Sequence, residues 1–141
     1  MPTVTWRQIW NAHPAPDFPC DRAHFGNQCA IRMSVALAGA GVNLSSFRGA
    51  RCYPGLGHDG RHILRAQELA NWIAGRSSIF GTVSKRTGVT SADYARTPGI
   101  VFILNGWGPT DHIDIWDGSA MKGGSADYFE KGDGVWFWAL G

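Results

Sequence analysis

The sequence has few charged residues and lacks a long hydrophobic segment. No apolar run approaches the roughly 18 residues that a membrane-spanning helix needs, so we expect no membrane span. Pro2, Arg7 and Asn11 interrupt the first residues, which is unlike a secretory signal peptide. The formal charge is only +2 and the basic residues are scattered, which argues against a nucleic-acid-binding protein.

Cysteine is also scarce. The chain has three cysteines, Cys20, Cys29 and Cys52, so at least one of them stays outside any intramolecular disulfide. A zinc site built from these cysteines and His24 is one alternative, but the sequence lacks the CxxC spacing typical of such sites. A disulfide between Cys20 and Cys52 is the interpretation we prefer, and it indicates action in an oxidising compartment.

Apolar residues and glycine are abundant instead. Hydrophobic residues make up 44% of the 141 residues, enough to bury a core, and 19 glycines favour turns over long helices. Helical spacing comes first and strand-like segments follow, so we expect one α+β domain over residues 1–141, with N-terminal helices packed on an antiparallel sheet. The predicted helices lie near residues 6–13, 29–41 and 62–75, and the predicted strands near 79–83, 100–104, 112–116 and 135–140.

Cys29 lies at the predicted start of a buried helix, after the polar segment 26–28. Backbone N–H groups and the positive end of the helix dipole stabilise a thiolate at such a position. The same N–H groups can also receive the oxyanion of a tetrahedral intermediate. Cys29 is therefore a candidate nucleophile, although a buried cysteine is more often an apolar filler.

His112 begins an alternating strand and is the candidate base. Packing of the helix on the sheet would bring it to Cys29. The other four histidines receive no role.

A base needs a carboxylate to orient its ring, and Asp114, Asp117 and Asp127 are the candidates. Asp114 shares the face of His112 but lies about 6.6 Å along the strand, which is long for a hydrogen bond. Asp117 precedes Gly118 and is typical of a turn. Asp127 lies in a loop before the last strand and is our first choice.

Several segments resemble the fourth family of type VI secretion amidase effectors. The resemblance rests on Asn27 to Ser34, Leu37 and Gly41, and later on 106–108, 112–118 and 135–138. It implies a papain-like cysteine peptidase fold and a cysteine amidase that cuts the γ-D-glutamyl–diaminopimelate bond in peptidoglycan stems. It makes Cys29 the nucleophile and His112 the base.

The third catalytic residue does not follow from the resemblance. The family's aspartate, in the loop after the histidine strand, falls on Gly123 here, and Asp127 is the nearest acidic substitute. The family's cysteine pair in that loop is also missing, with Met121 and Ser125 near its place.

The resemblance also implies how the protein is delivered and which partners it has. The chain would be made in the cytoplasm, delivered by the type VI apparatus and active in the periplasm of a target bacterium, and a cognate immunity protein would block it in the producer. Arg22 and Arg32 are candidates for binding stem carboxylates. No metal or other cofactor is expected. The alternative is a non-catalytic, disulfide-stapled module that binds the cell wall through its tryptophans.

Overall fold

The computed structural model describes residues 3–15, 29–49, 63–107 and 110–140. The elements, in chain order, are α1 (Trp6–Ala12), α2 (Cys29–Gly39), α3 (Ala66–Ala74), α4 (Ser77–Phe80), β1 (Ser84–Arg86), a first 3₁₀ helix (Ser91–Tyr94), β2 (Gly99–Trp107), β3 (Thr110–Trp116), a second 3₁₀ helix (Ala126–Glu130) and β4 (Gly134–Ala139). The expected order of helices before strands is confirmed.

The N-terminal helix begins at a complete capping box. Thr5 Oγ1 accepts from the backbone N–H of Gln8, and Gln8 Oε1 accepts from the backbone N–H of Thr5. These two bonds satisfy N–H groups that the first helical turn leaves without partners. The helix ends at Ala12, so that His13 is the first residue beyond it, as Pro14 predicted.

Helix α2 is the central helix, as its composition predicted. Its buried side chains are Cys29, Ala30, Ile31, Met33, Ser34, Ala36 and Leu37. It also packs closely on α1: a Cβ built on Gly39 would lie 2.7 Å from the Cβ of Ala12. A larger residue at 39 would push the two helices apart.

The four strands form one antiparallel sheet in the order β1-β4-β2-β3. One face, which includes Ile113 and Ile115, belongs to the main core with the helices. The opposite face forms a second core that includes Val101 and Trp116. Helices α1, α2 and α3 all contact β3, which is an edge strand of the sheet.

One predicted strand is wrong. Residues 79–83 fall largely on α4 and the turn after it, and the strand begins only at Ser84. Gly81 adopts φ +79, in the left-handed region that glycine tolerates, and this turn separates the helix from β1. Helix α3 also begins four residues later than position 62, whereas its predicted end at Gly75 is confirmed.

Candidate active site

Cys29 occupies the first turn of α2 and faces the start of β3. Its side chain is a thiol in the structure, and the residue is 7% exposed. The Sγ atom lies 3.8 Å from the backbone carbonyl oxygen of Asp111 and also forms a hydrogen bond with the His112 side chain. Helix-on-sheet packing therefore brings Cys29 and His112 together.

An irregularity in the β2–β3 pairing shapes this end of the strand. Regular pairing breaks between Ile103 and Trp107, and Asn105 adopts a left-handed φ of 53°. The backbone N–H of Asn105 donates to Oδ1 of Asp111 at 2.8 Å. Asp111 thus fixes the bulge with its side chain while its carbonyl oxygen faces Cys29.

The imidazole of His112 is hydrogen-bonded to two side chains. Its Nε2 lies 2.8 Å from Oδ2 of Asp114, and its other partner is the Cys29 thiol. The ring of Tyr128 packs edge-on against it, with a centroid distance of 5.0 Å. These contacts hold the ring in one orientation between sulfur and carboxylate.

Asp114 is the fully buried carboxylate of the site. Besides His112, its oxygens accept from the backbone N–H of Ile115 at 2.8 Å and from that of Gly123 at 3.0 Å. Nε2 of a second buried histidine, His13, lies 3.6 Å from its Oδ1. A buried carboxylate needs hydrogen-bond donors. Burying it without them would destabilise the folded state by roughly several kcal/mol.

The protonation of His112 follows from these contacts. Burial acts to lower the pKa of His112, but the hydrogen bonds to Asp114 and Cys29 outweigh it and raise the pKa to about 9. The ring therefore holds a proton at neutral pH, opposite a sulfur that can act as the thiolate.

Asp127, our first choice from the sequence, lies elsewhere. The second 3₁₀ helix carries it on the surface, where its side chain is 56% exposed and Lys131 Nζ is 3.8 Å from Oδ2. Asp117 forms the predicted turn, in which its Oδ1 accepts from the backbone N–H groups of Ser119 and Ala120. The structure brings Asp114 to His112 instead, because the side chains bridge the distance between their Cα atoms.

His13 is the residue that sequence reasoning missed. The available signal was its position directly after a well-capped helix, but that pattern is common to many helix ends. Other predictions lie outside the described residues: the Cys20–Cys52 disulfide, the zinc alternative with His24, the role of Arg22 and the segment 26–28. The disulfide therefore stays a prediction.

Two features are absent from the part of the chain that the structure describes. Within residues 3–15, 29–49, 63–107 and 110–140, no three His, Cys, Asp or Glu side chains are grouped so as to hold a metal ion. In the same part of the chain no helix is long and apolar enough to cross a membrane.

A helical layer on an antiparallel sheet, with a thiol, an imidazole and a carboxylate in series, is the arrangement of the papain-like cysteine hydrolases. The profile of one protein family, "Type VI secretion system (T6SS), amidase effector protein 4" or Tae4, matches residues 25–138. The chain therefore belongs to the Tae4 family. It is an antibacterial amidase effector that hydrolyses peptidoglycan.

Solved structures support the fold independently. The type VI effector Tae4 from Enterobacter cloacae matches with a TM-score of 0.75 and 17% identity, over 100% of both chains. The Tae4–Tai4 effector–immunity complex from Salmonella Typhimurium matches with a TM-score of 0.76 and 16% identity, over 98% of this chain and 99% of that one. A search of the curated proteins finds no match.

Proposed function

We propose that Cys29, His112 and Asp114 are the catalytic residues of this amidase, with Asp114 in the place that the sequence had given to Asp127. The observation that carries the proposal is the unbroken series of contacts from the Cys29 thiol through His112 to a buried carboxylate. The three groups follow one another in the order nucleophile, base and orienting carboxylate.

The reaction follows from this series. The Cys29 thiolate attacks the amide carbon, a C–S bond forms, and backbone N–H groups at the start of α2 stabilise the oxyanion. His112 donates its proton to the leaving nitrogen as the C–N bond breaks. It then takes a proton from water, which attacks the thioester, and the C–S bond breaks to release the carboxylate. Asp114 keeps the ring oriented through both steps.

We propose the γ-D-glutamyl–diaminopimelate bond of the peptide stems as the bond that is cut. Family membership and the amidase activity support this bond, and the proposed site of action is the periplasm of the target bacterium. Arg32 lies one turn along α2 from Cys29 and is half-buried. Its guanidinium is the proposed donor to a stem carboxylate, so Arg32→Met should raise KM more than it lowers kcat.

The regulatory partner that we propose is a cognate immunity protein in the producing cell. Tae4 from Enterobacter cloacae and from Salmonella Typhimurium have each been solved in complex with Tai4. An immunity protein of that kind would protect the producer by covering the Cys29 site. Co-expression of a neighbouring candidate gene should then protect cells that export this chain to their own periplasm.

Digestion of purified sacculi and of defined stem peptides tests the proposal. Mass spectrometry of the products should show a fragment ending in D-glutamate and a second beginning with diaminopimelate. Cys29→Ala should release neither fragment, and Cys29→Ser, which keeps the shape but is a weaker nucleophile, should be nearly inactive. Products from Cys29→Ala would contradict the mechanism, and cleavage at another amide would contradict the proposed bond.

A further inference from the structure

A second histidine lies behind the catalytic carboxylate. His13 is the first residue after α1, and its side chain is 1% exposed. Its Nε2 faces Oδ1 of Asp114 at 3.6 Å, on the oxygen opposite the one that contacts His112. The buried carboxylate thus lies between two imidazoles.

The backbone determines which nitrogen of His13 carries the proton. The backbone N–H of Ala15 donates to Nδ1 of His13 at 3.2 Å. A nitrogen that accepts a hydrogen bond carries no proton, so the proton of the neutral ring is on Nε2. At 3.6 Å this nitrogen lies beyond hydrogen-bond distance of Oδ1 of Asp114, so the neutral ring interacts with the carboxylate as a dipole facing a charge.

The charges around His13 favour the neutral ring. Burial lowers the pKa of His13 to about 4. The carboxylate of Asp114 opposes this effect, whereas the positive charges of Arg32, Lys122 and His112 act with it. Protonation would also place an N–H at Nδ1, directly against the N–H of Ala15. The neutral ring therefore acts on Asp114 as a dipole and adds no charge to the site.

The loop that donates to Asp114 also passes close to His13. A Cβ built on Gly123 would lie 3.3 Å from Cε1 of His13 and 3.4 Å from Oδ2 of Asp114. The distance to His13 is tighter than nine in ten real Cβ contacts, and the distance to Asp114 is at the lower limit of ordinary van der Waals contact. Glycine at 123 therefore lets the backbone pass close enough to donate its N–H to the carboxylate.

We infer that His13 is a positioning residue for the reaction, which holds the carboxylate of Asp114 in place through its Nε2–H and so fixes the orientation of the His112 ring. The inference rests on the proposed role of Asp114. His13 is assigned no contact with the thiol or with the substrate, and it acts only through Asp114.

The test compares two variants of equal size. His13→Met fills the space without an N–H, whereas His13→Gln can present its amide N–H to Asp114. We expect kcat to fall about 10-fold in His13→Met with KM nearly unchanged, and to recover most of this loss in His13→Gln. The His112 Nε2–H proton resonance should broaden by exchange in the Met variant and persist in the Gln variant.

Wild-type NMR provides a measurement that depends on no variant folding. Long-range proton–nitrogen spectra of the histidine-labelled chain should show His13 as the neutral Nε2–H form at neutral pH. A proton on Nδ1, a charged ring, or equal loss of kcat in both variants would overturn the inference. If Asp114→Asn is impaired while His13→Met is not, the inference alone fails; if Asp114→Asn is fully active, the proposed function fails.

Discussion

Nε2 of His112 lies 2.8 Å from Oδ2 of Asp114, although only one residue separates them along β3. The proposed base and the carboxylate proposed to orient it thus lie on the same strand. Their geometry is set by the pairing of His112 with Ile103 and of Asp114 with Val101 across two antiparallel strands. The loop after the strand contributes a backbone N–H from Gly123 where the family resemblance leads one to expect an aspartate.

The two buried histidines predict a maximum of stability near pH 6.5, the ordinary pKa of the side chain. The pKa of His112 is raised to about 9, so its stabilising contribution is complete below pH 6.5 and is lost as the pH rises through 9. The pKa of His13 is lowered to about 4, so the unfolded chain binds the additional proton as the pH falls from 6.5 to 4. The free energy of unfolding therefore declines both above and below pH 6.5.

Urea unfolding across this pH range measures the effect. A plot of the free energy of unfolding against pH should have an acidic limb below pH 6.5 and an alkaline limb above it. The slope of each limb should be at most about 1.4 kcal/mol per pH unit, which corresponds to one proton. The alkaline limb should become shallower in Cys29→Ala, since the thiol is one cause of the raised pKa of His112. A free energy of unfolding that stays constant over this range would contradict the assigned protonation states.

Gly124 should be intolerant of a side chain. A Cβ there would lie 2.5 Å from Cε2 of Tyr128 and 3.0 Å from Nε2 of His112. Gly124→Ala should therefore displace the Tyr128 ring or the His112 imidazole, and we expect kcat to fall about 10-fold or more. Gly75→Ala is the matched control, because a Cβ at Gly75 meets ordinary contacts of 3.6 Å or more. Full activity of Gly124→Ala would show that Tyr128 does not help to hold His112.

Removal of the capping box should destabilise the fold. Thr5→Ala removes the hydroxyl that accepts from the N–H of Gln8, and we expect it to cost about 1 kcal/mol of unfolding free energy. Thermal and urea unfolding measure the loss. Asn11→Ala, at an exposed position of the same helix, serves as the control and should be nearly neutral. Equal stability of Thr5→Ala and wild type would refute the contribution of the cap.

Local patterns in the sequence predicted much of this fold. The capping box at Thr5 and the apolar composition of α2 are short-range signals, and both elements are confirmed. The segment 79–83 was predicted wrongly because a short apolar run does not distinguish a strand from a helical turn. Only residues 79 and 80 are helical, and the helix ends at Gly81 with Phe80 buried, which a pattern of five residues does not show.

The site was predicted in part for a similar reason. The helix start placed Cys29 and the alternating strand placed His112, and the structure brings the two together. Asp114 was set aside because about 6.6 Å separates two neighbouring residues on the same face of a strand. That distance joins Cα atoms, whereas the imidazole and the carboxylate extend toward each other along the strand. The neglected signal was the position of this carboxylate between two isoleucines, Ile113 and Ile115, that belong to the core.

The most direct test of the account is the kcat of Asp114→Asn beside that of Asp127→Asn, measured on the same stem peptide. Asparagine keeps the size of each side chain and removes the charge, and circular dichroism confirms that both variants are folded. We expect Asp114→Asn to lose about 10²- to 10⁴-fold in kcat, because the amide removes the negative charge beside His112 and its NH2 group must replace an oxygen that accepts either from His112 or from the N–H of Ile115. We expect Asp127→Asn to keep wild-type activity. Loss of activity in Asp127→Asn with an active Asp114→Asn would contradict the assignment.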